Sequence, residues 1–230
     1  MEQRYRTFLT LENLINPEQV TILLDLATKG YFQDGTQTAT GAAAAVKKNL
    51  QLDPNDMQTQ QQVEQTVFQA LVQRPEVQAL HLQAIYPPIL SIYEPGMTYG
   101  WHTDSPQMAI PQRQVQVRTD LAMTLFLADP ASYKGGELEV HGPEGLLKYK
   151  LAPGNAVLYP ASALHRVVPV AEGKRVAVVT WLQSTFADVR QREVMVQLDD
   201  VIKSLQAEDL ENENAVRLQQ VWANLWKIWS

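Results

Sequence analysis

The chain has 230 residues, 45% of them hydrophobic and 19% charged, with a formal net charge of -6 and no cysteine. That length supports a sizeable core, built as one large or two small domains. The composition excludes disulfides, thiolate metal sites and cysteine nucleophiles, argues against nucleic-acid or anionic-membrane binding, and fits a reducing, cytoplasmic setting.

In chain order, Met1-Glu2-Gln3-Arg4-Tyr5-Arg6 lacks the apolar run of a signal peptide. No segment approaches the run of about 18 apolar residues that a membrane span needs. Residues 1–83 read as a mainly helical support. Asn16 caps a helix that Pro17 begins, and Gln19 completes a capping box. Val20, Leu23, Leu24 and Ala27 share one face, and Lys29-Gly30 supplies a stop. Asp34 to Thr40 is polar and reads as a loop, and Ala42 to Lys48 as a short helical turn. Gln58 to Gln73 forms a second helix with Val63, Val67, Ala70 and Leu71 on its stripe, closed by Pro75.

From about Ala84 the hydrophobic period falls from 3.6 to 2, and residues 84–184 read as a β domain. The predicted strands are Ile89–Tyr93, Tyr99–Asp104, Asp120–Leu127, Glu137–Val140, Leu146–Leu151, Ala156–Tyr159, His165–Val170 and Arg175–Leu182. Gly- and Pro-containing turns separate them. Short strands so punctuated leave no room for βαβ crossovers and point to a jelly roll or barrel. Ile110–Val117 reads as a loop over the mouth of a site. Residues 185–230 return to the helical period. Val194, Leu198, Val201, Ile202 and Leu205 form one stripe; Leu218, Val221, Trp222, Leu225 and Trp229 form another. The Trp-rich stripe fits packing on the β domain, a subunit interface or a partner-binding helix.

His102 and Asp104 stand two apart on a predicted extended segment, so both project to one side. An imidazole and a carboxylate aimed at one point are two-thirds of the facial triad that binds non-haem Fe(II), and His165 is the best third ligand. A surface pair or a hydrogen-bonded turn would give the same short pattern. Arg175 follows ten residues after His165. A three-residue loop at Ala171–Gly173 places both on one face, and a two-residue loop on opposite faces. Ala177, Val179 and Trp181 share the arginine's face, an apolar lining in which a guanidinium needs an anion. That anion is a bound carboxylate or a structural Asp or Glu. His81 and His141 read as surface residues.

His102-x-Asp104, His165 and Arg175 together resemble the iron and 2-oxoglutarate dioxygenase superfamily. Tyr93-Glu94-Pro95-Gly96-Met97 leading to Tyr99 and His102, Arg118-Thr119-Asp120-Leu121, Gly135-Gly136-Glu137-Leu138 and Leu158-Tyr159-Pro160 leading to His165 resemble its bacterial PKHD-type hydroxylases. The likeness takes in the insert Asp34-Gly35 to Gly41 and the helical tail. It implies an α+β fold, mainly β, with a double-stranded β-helix (jelly roll) core flanked by N- and C-terminal helices. It also implies that His102, Asp104 and His165 hold Fe(II), that Arg175 and Tyr93 hold 2-oxoglutarate, and that Tyr99 and Trp181 line the pocket. Arg118 would meet substrate or pair with Asp120. The implied reaction is hydroxylation of a C–H bond on an unidentified protein or small molecule, consuming O2 and releasing succinate and CO2. Ascorbate is the expected reductant, and homo-oligomers are compatible. Asp104 argues against halogenation, which needs that position free. A non-catalytic metal or 2-oxoglutarate sensor, and an interaction module built on the Trp-rich helix, are the rival readings.

Overall fold

Every residue of the strand Leu121–Phe126 is buried, because its two faces meet different partners. Leu121, Met123 and Leu125 join Val176, Val178 and Leu182 of the next strand in one cluster with Val20, Leu23, Val63, Val67 and Leu71. Those five belong to the helices Pro17–Lys29 and Met57–Val72, which cover this face of the sheet. Ala122 and Phe126 turn the other way and, with Val157 and Tyr159, pack on Leu138 and Val140 of a second sheet. The computed structural model that shows this describes residues 8–39 and 41–230. The leader reading on Met1–Arg6 and the loop residue Thr40 lie outside the described residues.

The larger sheet runs, edge to edge, through Leu9–Leu11, Ala156–Pro160, Leu121–Phe126, Arg175–Ser184, Ile89–Tyr93, Leu50–Leu52 and Phe32–Asp34. Leu82–Ile85 also pairs with the long strand Arg175–Ser184. The smaller sheet runs through Gly145–Tyr149, Leu138–Gly142, His165–Val167, Thr98–His102 and Lys47–Lys48. Two antiparallel sheets face to face, with helices outside the larger one, make the jelly roll that the alternation suggests.

The first helix is closed as its residues require. Gln19 N–H donates to Asn16 Oδ1 and Asn16 N–H to Gln19 Oε1, both at 2.9 Å. The N-terminal region departs from its helical reading in four short strands, because their partners are distant in sequence. Leu9–Leu11 adds to the sheet edge at Ala156–Leu158. The expected loop from Asp34 is the end of the strand Phe32–Asp34 followed by one 3₁₀ turn. The helical turn expected to reach Lys48 stops at Ala45, and Lys47–Lys48 joins the smaller sheet.

Two further differences have local causes. Ile110–Val117 is a hairpin and not a loop: Gln107–Ile110 pairs with Val115–Arg118 around a turn at Pro111–Arg113. The strand predicted to reach Val170 ends at Val167, since Pro169 has no N–H for the ladder. Val170–Glu172 pairs instead with Lys134–Gly135.

At the C-terminus, the helices Val189–Glu208 and Glu213–Trp229 fill the region where the helical period returns, but the first is rotated from the predicted stripe. Arg192, Met195, Val196 and Ile202 are buried, while Val194 and Val201 are exposed. Arg192 earns its place on the inner face with its hydrocarbon stem and by donating to the Phe186 carbonyl at 3.1 Å. Trp222 and Trp226 pack against His81, and Trp226 also against Phe186. His81 is therefore not a surface residue, and burial lowers its pKa. His141 is exposed, as expected, with its ring 4.9 Å from that of Trp101. No helix of the described residues is long and apolar enough to cross a membrane.

Candidate active site

The strand Thr98–His102 lies beside His165–Val167 with His102 directly opposite His165. Asp104 has left the strand, and its N–H donates to the Ala161 carbonyl at 3.1 Å. A turn tied to the approach to His165, rather than one continuous strand, therefore returns the carboxylate to the imidazoles.

Each imidazole is oriented by its own chain. His102 Nδ1 donates to the Gly100 carbonyl at 2.7 Å, and His165 Nδ1 to the Ala163 carbonyl at 2.9 Å. A carbonyl only accepts, so both rings carry a proton on Nδ1, which leaves Nε2 as the atom that can ligate. These Nε2 atoms lie 3.8 and 3.7 Å from Asp104 Oδ1. The three donors fall within 4.8 Å of one another, close enough for one ion to bridge, and are the one such group among the described residues.

Burial, then the neighbouring His165, pushes the His102 pKa down to about 3, so the ring stays a neutral donor. Burial raises the Asp104 pKa, with His165, the Trp181 indole and Lys47 opposing it. Asp104 Oδ2 is buried without a hydrogen-bond partner, an acceptor that a cation would satisfy. The Tyr99 ring stacks on His102 at 3.5 Å, and Tyr159 meets His165 edge-on at 5.1 Å.

Arg175 is 1% exposed and stands opposite Tyr93 in the larger sheet. Its guanidinium lies 5.1 Å from the Tyr93 ring and 5.5 Å from that of Phe126. Nε and Nη1 have no hydrogen-bond partner. The structural Asp or Glu left open by the sequence is not there among the described residues. The hairpin route to a shared face is also not the one the chain takes. Val170–Glu172 pairs away from Arg175–Ser184, so His165 and Arg175 belong to different sheets. Both are buried, and the Tyr159 ring lies between them: it meets His165 at 5.1 Å, and its hydroxyl feels the charge of Arg175.

Tyr159, which sequence reasoning passed over, sits between the two centres. Its hydroxyl pKa is raised by burial and by Asp104, and lowered by a hydrogen bond with Thr124 and by Arg175. The signal was available: Val157 and Tyr159 alternate onto the inner face of Ala156–Pro160. Trp181 stands near Asp104 with its indole N–H unpartnered, and its ring meets Tyr86 at 5.5 Å. Arg118 does not reach toward this centre. It grips Asp120 at 2.7 and 3.0 Å and the Ser184 carbonyl at 2.6 Å, which is the pairing alternative.

Comparison with known proteins gives the chain's family. Residues 88–183 fit the family model of the 2OG-Fe(II) oxygenase superfamily. In fold, the chain resembles a prolyl-4-hydroxylase of Pseudomonas putida, with a TM-score of 0.55 and 16% identity over 77% of this chain and 92% of that one. It resembles a Trichoplax adhaerens prolyl hydroxylase, in complex with a peptide of hypoxia inducible factor, with a TM-score of 0.56 and 14% identity over 82% and 86%. These define the class: an oxygenase of jelly-roll fold that uses Fe(II) and 2-oxoglutarate.

Curated relatives narrow the class. A PKHD-type hydroxylase of Crocosphaera subtropica is 40% identical over 96% of this chain and 99% of that protein. One from Alteromonas mediterranea is 38% identical over 96% and 98%. The chain belongs to the PKHD-type hydroxylases, and it is an oxidoreductase enzyme of the dioxygenase type.

Proposed function

We propose that His102, Asp104 and His165 hold Fe(II), and that Arg175, with Tyr93 facing it, binds the far carboxylate of 2-oxoglutarate. The observation that carries this reading is the pairing of unmet needs. Two Nε2 atoms and the Asp104 carboxylate converge, one oxygen of that carboxylate has no hydrogen-bond partner, and a fully buried guanidinium on the far side of Tyr159 lacks an anion. A buried, unpaired charge is costly and is retained where a ligand completes it. The residues therefore fit both groups.

When bound, Fe(II) and 2-oxoglutarate supply O2 activation for C–H hydroxylation, with release of succinate and CO2. The chain's own residues position and shield. The Gly100 and Ala163 carbonyls fix the imidazole tautomers, and Asp104 supplies the anionic ligand. Tyr99 and Trp181 wall the centre, and Phe126 and Tyr159 keep water from the Arg175 end. No side chain has to act as an acid or base. Segments 1–83 and 185–230 brace the catalytic unit 84–184 in this reading, and a homo-oligomer is compatible with it. A cytoplasmic setting and ascorbate as reductant belong to this reading.

Purified protein supplied with Fe(II), ascorbate and 2-oxoglutarate is expected to release succinate slowly without substrate, and His102→Ala or Asp104→Ala to abolish that release. Release unchanged by either substitution ends the assignment.

A further inference from the structure

Lys47, Asn49 and Gln51 alternate along the segment that joins the two sheets, and they are only 7%, 3% and 3% exposed. Lys48, between the first two, is exposed. Buried polar side chains at period 2 mark a strand face that lines a polar cleft rather than an apolar core. This face adjoins the metal centre. Lys47 stands opposite Tyr99 with its Nζ 5.1 Å over the Tyr99 ring, the ring that stacks on His102.

The polar groups of this wall are incompletely matched. Lys47 Nζ donates to Thr38 Oγ1 at 2.7 Å and to Gln51 Oε1 at 3.3 Å. Both acceptors are neutral, and the third N–H has no carboxylate in ion-pair contact among the described residues. Gln51 is held by Thr38 and, at 3.4 Å, by Ser91. Asn49 has no partner within hydrogen-bond geometry for either amide atom, although its side chain acts on the Tyr93 hydroxyl nearby. Gly35 lets it sit there, since a Cβ at that position would stand 1.9 Å from Asn49 Oδ1. The insert beginning at Asp34 thus shapes this wall, a role its motif alone does not disclose.

We propose that Lys47, with Asn49 beside it, forms a carboxylate subsite next to the iron centre that grips and orients the primary substrate, which is therefore a carboxylate-bearing molecule. The proposal rests on the iron and 2-oxoglutarate reading, because Arg175 in the larger sheet takes the cosubstrate's far carboxylate and leaves Lys47 in the smaller sheet for another anion. An ammonium that donates to two neutral oxygens, with Asp104 and Asp34 acting on it without ion-pair contact, is positioned but has no carboxylate bound to it. A carboxylate would complete it with a charge-assisted hydrogen bond, and the Asn49 amide offers a second donor.

The test uses full-length protein with ¹⁵N-labelled lysine, loaded with Zn(II) in place of iron and saturated with 2-oxoglutarate. Acetate is the probe, and the Lys47 ammonium resonance, identified by its loss in Lys47→Met, is the readout. Acetate is expected to shift that resonance saturably with 2-oxoglutarate already bound, and Asn49→Ala to weaken the response. Calorimetry should show 2-oxoglutarate affinity kept in Lys47→Met but reduced more than about tenfold in Arg175→Met. If 2-oxoglutarate alone shifts the resonance and acetate adds nothing, the anion is the cosubstrate's and the substrate subsite is overturned. A resonance that responds to neither overturns it too. Failure of wild-type protein to bind 2-oxoglutarate at all would instead sink the underlying functional reading.

Discussion

Arg118, a third exposed at the rim of the sandwich, and Arg175, 1% exposed within it, have opposite fates. Arg118 is matched from within: Asp120 takes two of its N–H groups, and the Ser184 N–H donates in turn to Asp120 at 2.8 Å. Arg175 is more deeply buried, yet it meets only aromatic faces and keeps donors unused. A fold completes the charges it uses for its own stability, as at the Arg118 corner. At Arg175 the charge is left incomplete in the interior, open to an anion from outside.

The contrast breaks first at Arg175. Arg175→Met is expected to lower kcat/KM for 2-oxoglutarate by about 100-fold, in the range for truncating one partner of a buried charge pair. The same substitution should leave the melting temperature of the ligand-free protein unchanged or raised, because no internal pair is lost. A marked fall would mean that Arg175 is structural after all. Next comes Lys47, whose pKa burial lowers to about 8 from 10.5. Between those values the unfolded chain holds a proton that the folded chain has released, so stability should rise with pH across that window. Denaturation at pH 7.5 and 10.5 should show that gain in wild-type protein and not in Lys47→Met.

Arg118→Met sharpens the comparison from the other side. It strands the Asp120 carboxylate, which is 5% exposed, and should cost about 2 kcal/mol in urea unfolding with KM for 2-oxoglutarate unaltered. The smallest effect is expected far from both arginines. Asn16→Ala removes the capping box of the first helix and should cost about 1 kcal/mol, with catalysis intact.

How much of this was legible beforehand depended on the range over which each feature is specified. The helix Pro17–Lys29 could be read to its capping residue because its signals lie within one turn. The strand Ile89–Tyr93 could be read to both ends because turn residues bound it. Lys47–Lys48 could not, since two residues after an alanine run carry no period, and their strand character comes from pairing with Thr98 and Tyr99. The rotated stripe of the helix Val189–Glu208 was hidden for a related reason. Apolar residues flank the true inner face, and packing chose the side that includes Arg192.

The sequence by itself determined the chemistry available, namely two histidines, an aspartate and an arginine at spacings that strands could bring together. Local preferences and hydrophobic periods act over a few residues, and they sufficed for the helices, most core strands and the jelly-roll class. Tertiary structure alone decided the convergence. It turned Asp104 back onto two neighbouring strands, put His165 and Arg175 in facing sheets, and left Arg175 without an internal anion while Arg118 received one. Those outcomes depend on which distant segments pack together, and a linear pattern does not encode the burial and charge balance that such packing creates.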